Sequence, residues 1–138
     1  RTLLEFEGAG QSTQVYVYLS SPIVLKETYQ AKNRENLFFA GQLTGVEGYV
    51  ESCASGLIAG INMALLMQGK EPICFGNTCV MGSQAYYITH CDPKHFQPMN
   101  ANFGIMHLNE KCKKHERKEK LASQALSRIQ EIKEQVNG

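Results

Sequence analysis

Three glycines within eight residues, Gly41, Gly45 and Gly48, follow the apolar stretch at 37–40 in the run "NLFFAGQLTGVEGYVESCASGLIAGIN", and a helical pattern follows them. A strand, then glycines, then a helix N-terminus is an arrangement that holds an anion or the polar edge of a ligand. Unpaired amides and the positive end of the helix dipole point at the ligand, and glycine lets it lie against the backbone. Gly56 and Gly60 continue the series inside the helix, four apart on one face. Each costs about 1 kcal/mol relative to alanine, and the spacing implies a helix lying close against a sheet. Tight turns and packing alone are the other reading of these glycines. No Gly-x-Gly-x-x-Gly occurs in the chain, so spacing by itself does not decide between the two.

The remaining chemistry-bearing residues point away from metals. Five cysteines, at 53, 74, 79, 91 and 112, include no Cys-x-x-Cys pair, and His90, His95, His107 and His115 do not join them at finger spacing. The expectation is no metal and no disulfide framework, with reduced packing thiols and a cytoplasmic setting. The chain has 138 residues, 43% hydrophobic and 20% charged, with a net charge of +1. That composition is globular and demands neither nucleic acid nor membrane. No apolar run is expected to reach the ~20 residues that span a bilayer. The opening "RTLLEFEGAG" lacks an initiator methionine, which hints at a piece of something longer.

Periodicity supplies the elements that would position the glycines. "QVYVYLSS" alternates as a strand over 15–19, and residues 37–40 read as a short strand buried on both faces of a parallel sheet. A helix over about 46–67 carries Val50, Ala54, Leu57, Ile58, Ile61 and Leu65 as its apolar stripe and stops at Gly69, with Pro72 beyond. The middle of the chain is irregular, with one helical segment at about 81–88. A C-terminal amphipathic helix begins near residue 110, with Leu121, Ala125, Ile129, Ile132 and Val136 on one face. The fold class is α/β.

"FFAGQLTGVEGYVESCASGLIAGINMA" closely resembles the late flavin-contacting segment of the folate- and FAD-dependent tRNA uridine-5-methyltransferases, small relatives of the glucose-inhibited division protein A family. "YYITHCDPKHFQPMNANFG" is similar to a second hallmark of the same enzymes. The larger sister group, flavoproteins that install carboxymethylaminomethyl groups on the wobble uridine, shares the Gly-Gln turn but continues differently. The resemblance implies that residues 1–69 are the C-terminal portion of a Rossmann-like FAD-binding domain. Residues 70–138 would be an irregular segment and a helical tail packing on it.

The implied reaction transfers a methylene group from methylenetetrahydrofolate to C5 of a uridine in the tRNA T-loop, with FAD reduced by NAD(P)H as the reductant. Gly41 and Gln42 would contact the ribityl-phosphate region, and Val46, Glu47, Gly48 and Tyr49 would face the pyrimidine edge of the flavin. Asn100 and Asn102 would line the substrate cleft or cap turns, while His90 is structural or catalytic. Lys113, Lys114 and Arg117, in the basic run "KCKKHERKEK", would meet the tRNA backbone or form a solvated helix face. The catalytic nucleophile has no counterpart in this chain.

The partners implied are tRNA and the N-terminal FAD-binding half of the same protein, with no membrane. Departures from the pattern are the missing first glycine fingerprint and "QVYVYLSSP", with Gln14 and Val15 where a His-Arg-Asn-Thr-Tyr run associated with folate is expected. "MHLNEKCKKHER" likewise replaces a usual proline pair. These leave open a non-catalytic truncated paralogue, or an RNA or protein interaction module.

Overall fold

The computed structural model describes residues 18–138. In chain order it contains α1 (Ser21–Val24), β1 (Gln30–Ala31), β2 (Arg34–Phe38), a 3-10 turn (Gly41–Thr44), β3 (Val46–Glu47) and α2 (Tyr49–Met67). These are followed by α3 (Val80–His90), β4 (Met99–Asn100), a second 3-10 turn (Phe103–Ile105) and α4 (Arg117–Asn137). It is a mixed helix and strand structure. Most of the expected strand at 15–19, with Gln14 and Val15, lies outside the described residues, and Tyr18 and Leu19 are not in a strand.

The strand expected at 37–40 needs correction. Leu37 and Phe38 end β2, which pairs antiparallel with β1, Gln30 opposite Phe38 and Ala31 opposite Arg34. A two-residue turn at Lys32 and Asn33 joins the strands, and such a turn makes a hairpin rather than a parallel crossover. The strand is exposed at its start and half-buried at its end, so neither face is fully covered. The parallel pairing among the described residues lies elsewhere, between β3 and β4, with Val46 opposite Met99 and Glu47 opposite Asn100.

Helix α2 begins after Gly48 and ends in a Schellman motif. Lys70 N donates to Leu65 O at 2.9 Å and Gly69 N to Leu66 O at 3.0 Å, with Gly69 at φ +71°. Its buried residues are Ser55, Ile58, Ala59, Asn62 and Leu65. The expected stripe is therefore split: Ile58 and Leu65 face inward, whereas Val50 and Leu57 are exposed. Gly56 and Gly60 face open space, with nothing within 4 Å of where a Cβ would stand, so the sheet expected beneath them is not among the described residues.

The expectation that no apolar run reaches spanning length is also corrected. Helix α2 has 19 residues at a mean hydropathy of 1.5, long and apolar enough to cross a bilayer by length and composition. Two buried polar side chains nonetheless tie it to the rest of the protein. Ser55 Oγ accepts from Gly41 N at 2.7 Å. Asn62 Oδ1 accepts from Ile73 N at 2.6 Å, while its Nδ2 donates to Ile73 O at 3.1 Å.

Helix α3 covers the segment expected at about 81–88. Gly82 lets it approach the preceding loop, because a Cβ there would run into the Gly76 carbonyl. Helix α4 starts at Arg117 rather than near residue 110. Gln124 explains the delay: its Oε1 accepts from Asn109 N at 3.0 Å and its Nε2 donates to His107 O at 2.7 Å, holding 107–109 against the helix instead of inside it. Leu121 and Ile132 are buried as the stripe predicts. One hydrophobic core joins Tyr29, Val46 and Ile58 to Phe75, Cys79, Ala85, Ile88, Phe96 and Ile132, crossing the expected boundary at 69/70.

Candidate functional site

The glycine turn is built on left-handed backbone. Gly41, Gly45 and Gly48 have φ of +72°, +83° and +99°, a region that side chains rarely adopt. Much of its polar backbone is used internally. Gly41 N donates to Ser55 Oγ, Gly45 N donates to Gln42 O at 3.0 Å, and Thr44 Oγ1 donates to Gly41 O at 2.8 Å. What stays open is the Gln42 side chain, the almost fully exposed Tyr49, and the first-turn amides of α2, which have no acceptor within their own helix. Val46, by contrast, is fully buried in the core, so only its backbone could face a ligand.

The second conspicuous segment comes to the same place. Met99 N donates to Gly45 O at 3.2 Å, and Asn100 Nδ2 donates to Glu47 O at 3.1 Å. From below, the buried Gln84 donates through Nε2 to Met99 O at 3.0 Å. Asn102 sits just beyond, but its Oδ1 accepts from Gly104 N at 2.8 Å and caps the second 3-10 turn. Of the expected site residues, Asn100 therefore touches the turn and Asn102 serves its own loop. Lys113, Lys114 and Arg117 are exposed on the approach to α4, and no hydrogen bond or ion pair among the described residues joins them to the turn.

Two residues that sequence reasoning missed complete the junction. Phe96 packs its ring against Gly45, where a Cβ would overlap the ring tip. Glu51, third residue of α2, folds back over Gly48, and its Oε1 accepts from Ala101 N at 3.2 Å. The signal for Glu51 was present: a glutamate at the third helical position is placed to reach back over a helix start.

The other candidates fall outside this junction. His90 stacks on the Tyr86 ring at 4.1 Å, and its Nε2 lies 3.6 Å from Glu27, a surface arrangement on the far end of α3. All five cysteines are free, and burial pushes the Cys79 thiol up, which keeps it protonated and unreactive. Among the described residues no three His, Cys, Asp or Glu side chains gather as a metal site.

Part of this geometry suits the flavin edge that the resemblance implies. A helix N-terminus with open amides, flanked by exposed Gln42 and Tyr49, suits an electron-rich heterocycle edge. The space at Gly48 itself is taken by the Glu51 carboxylate and the Asn100 amide. The open edge therefore runs along Gln42 and the first turn of α2, with only the backbone of Gly48 beside it.

The family model described as glucose inhibited division protein A matches residues 9–71, the glycine turn and α2 included. A Bacillus licheniformis protein named methylenetetrahydrofolate–tRNA-(uracil-5-)-methyltransferase TrmFO is 60% identical over 117 residues, 83% of this chain and 27% of its own length. An Enterococcus faecalis protein of the same name is 60% identical over 111 residues, 79% of this chain and 26% of its own length. The crystal structure of Aquifex aeolicus GidA superposes with a TM-score of 0.54 at 25% identity, over 79% of this chain and 17% of that one. The chain thus spans about a quarter of the length of the curated relatives it matches. The glycine turn and the helix behind it lie inside the residues that match the glucose inhibited division protein A model, and over most of its length the chain is similar to the relatives named TrmFO.

Proposed function

We propose that this chain is part of a flavin-dependent tRNA methyltransferase that forms 5-methyluridine in the T-loop, with methylenetetrahydrofolate as carbon donor and NAD(P)H renewing the reduced flavin. The observation that carries this reading is 60% identity to relatives of that name across both segments that meet at the turn. Flavin, when bound, would supply the reducing equivalents. The chain's own part is to present Gly41, Gln42, Glu47 and Tyr49, and the backbone of Val46 and Gly48, along the cofactor edge. The α2 N-terminus favours negative charge there. Asn100 and Asn102 form the neighbouring substrate edge, and Lys113, Lys114 and Arg117 meet the tRNA backbone.

The activity belongs to the longer polypeptide. Residues 1–69 are read as the end of a Rossmann-like domain whose sheet continues in the part of the relatives' length that this chain lacks. Helix α2 supports this: Tyr49, Val50 and Met67 are 98%, 79% and 83% exposed, and Gly56 and Gly60 have nothing over them. An apolar helix face of this length calls for a cover. Free cysteines accord with a cytoplasmic setting.

The test uses the full-length polypeptide with a T-arm transcript, methylenetetrahydrofolate and NADPH, reading 5-methyluridine by mass spectrometry. Product that requires the folate and a bound yellow chromophore is the expected result. A colourless protein that forms none defeats the reading. Gly48→Val should lose the chromophore while the fold persists by circular dichroism, because a β-branched residue at that φ costs about 1–3 kcal/mol before it meets Glu51 and Asn100.

A further inference from the structure

We propose that Glu51 is a positioning residue for this reaction, and that it sets the substrate edge in register with the cofactor turn. The inference rests on the flavin and folate reading above. A glutamate at the third position of a helix ordinarily turns back to accept from the amide at its own N-cap. Glu51 turns back in that way, but its Oε1 instead accepts from Ala101 N, fifty residues further along the chain. The path is open because residue 48 carries no Cβ; one there would stand within the Glu51 carboxylate.

The position of this bond gives it leverage. The parallel pairing of β3 with β4 ends at Glu47 and Asn100. Met99 is held on both sides, by Gly45 O and by Gln84, and Asn100 is held by its side-chain amide to Glu47 O. Ala101 N–H is the next donor, and beyond it Asn102 bonds within its own loop, to Gly104 N and Asn100 O. The Glu51 carboxylate is therefore the last tie between the α2 N-terminus and the segment that carries Asn102. Without it, Ala101 and Asn102 are tied to the turn through Asn100 alone, and the chain is next anchored only at His107, whose amide donates to Asn77 O.

What the tie requires is an acceptor of the right reach, and this makes the proposal separable from an effect of charge. Glutamine keeps both the acceptor and the reach. Aspartate keeps the charge but is one methylene too short, and alanine keeps neither. In the full-length holoprotein, E51A and E51D should retain flavin with an unaltered visible spectrum, yet raise KM for methylenetetrahydrofolate about tenfold or more. That is the scale of one lost hydrogen bond. Glu51→Gln should restore KM to near the parent value. Hydrogen exchange supplies a readout without turnover: the Ala101 amide should exchange at least tenfold faster in E51A and E51D, and not in E51Q. Unchanged KM and unchanged Ala101 exchange in E51A would overturn the proposal. So would E51Q behaving like E51A, since the carboxylate charge would then be the agent. A full-length parent without flavin defeats the reading of the turn instead, and the exchange result still reports separately on the tie.

Discussion

The ring of Phe96 lies in the space that a side chain on residue 45 would fill. The glycine of the turn and the phenylalanine that opens "FQPMN" are thus two halves of one contact. Tyr18 meets the same ring edge-on at 5.7 Å and Tyr87 at 6.4 Å, so the ring is held and cannot withdraw freely.

Gly45→Ala should therefore destabilise the protein by about 2–4 kcal/mol. Left-handed backbone accounts for about 1–2 kcal/mol of this and displacement of the ring for the rest. Urea denaturation measures it, and a double-mutant cycle with Phe96→Leu should recover only the ring's share. A loss confined to the backbone part would mean that Phe96 repacks without cost.

The buried amide of Asn62 holds both backbone groups of Ile73, and Thr28 O accepts from it at 3.4 Å. Asn62→Ala leaves the Ile73 amide and carbonyl without a partner, at about 1–3 kcal/mol each. A total near 3–5 kcal/mol is expected from chemical denaturation. A loss below about 1 kcal/mol would show that water takes the place of the side chain.

Gly56→Val probes what covers α2. In the 138-residue chain nothing stands within 4 Å of that position, so the change should be within about 0.5 kcal/mol of neutral. In the full-length polypeptide the same change should cost about 1–3 kcal/mol through overpacking. Equal effects in the two would remove the case for a covering sheet.

Asp92 accepts from Lys94 N at 2.9 Å, and its other oxygen lies 2.9 Å from His95 Nδ1. The backbone hydrogen bond from Lys94, then the one from His95, holds its carboxyl below the usual aspartate range. A depressed carboxylate stabilises the fold above its unfolded-state pKa and loses that contribution as pH falls through the folded value. Asp92→Asn should thus lower the urea midpoint slightly at pH 7, with the difference from the parent shrinking below about pH 4. A difference that grows at low pH would contradict this sign.

Replacing Lys113, Lys114 and Arg117 with glutamine should weaken tRNA binding by the full-length protein and lower its salt slope by about two to three. Filter binding at several salt concentrations measures both. An unchanged slope would return these exposed residues to an ordinary solvated face.

Local sequence determined the helices, because period and stop signals act within a few residues. The stripe of Leu121 and Ile132, the Gly69 stop and the left-handed glycines of the turn all follow from nearest neighbours along the chain. The family resemblance is legible for the same reason, since its motifs are contiguous. Tertiary structure alone decided the rest. The hydrophobic pattern of α2 could not say which half faces this chain's core, because apolar periodicity marks a face to be covered and not what covers it. Nor could any local signal announce that Glu51 would bind Ala101, that Phe96 would lie on Gly45, or that β3 would pair with β4. Those contacts join residues about fifty positions apart, and each exists only because a core already packed by α2 and α3 brings the two backbones within hydrogen-bonding distance.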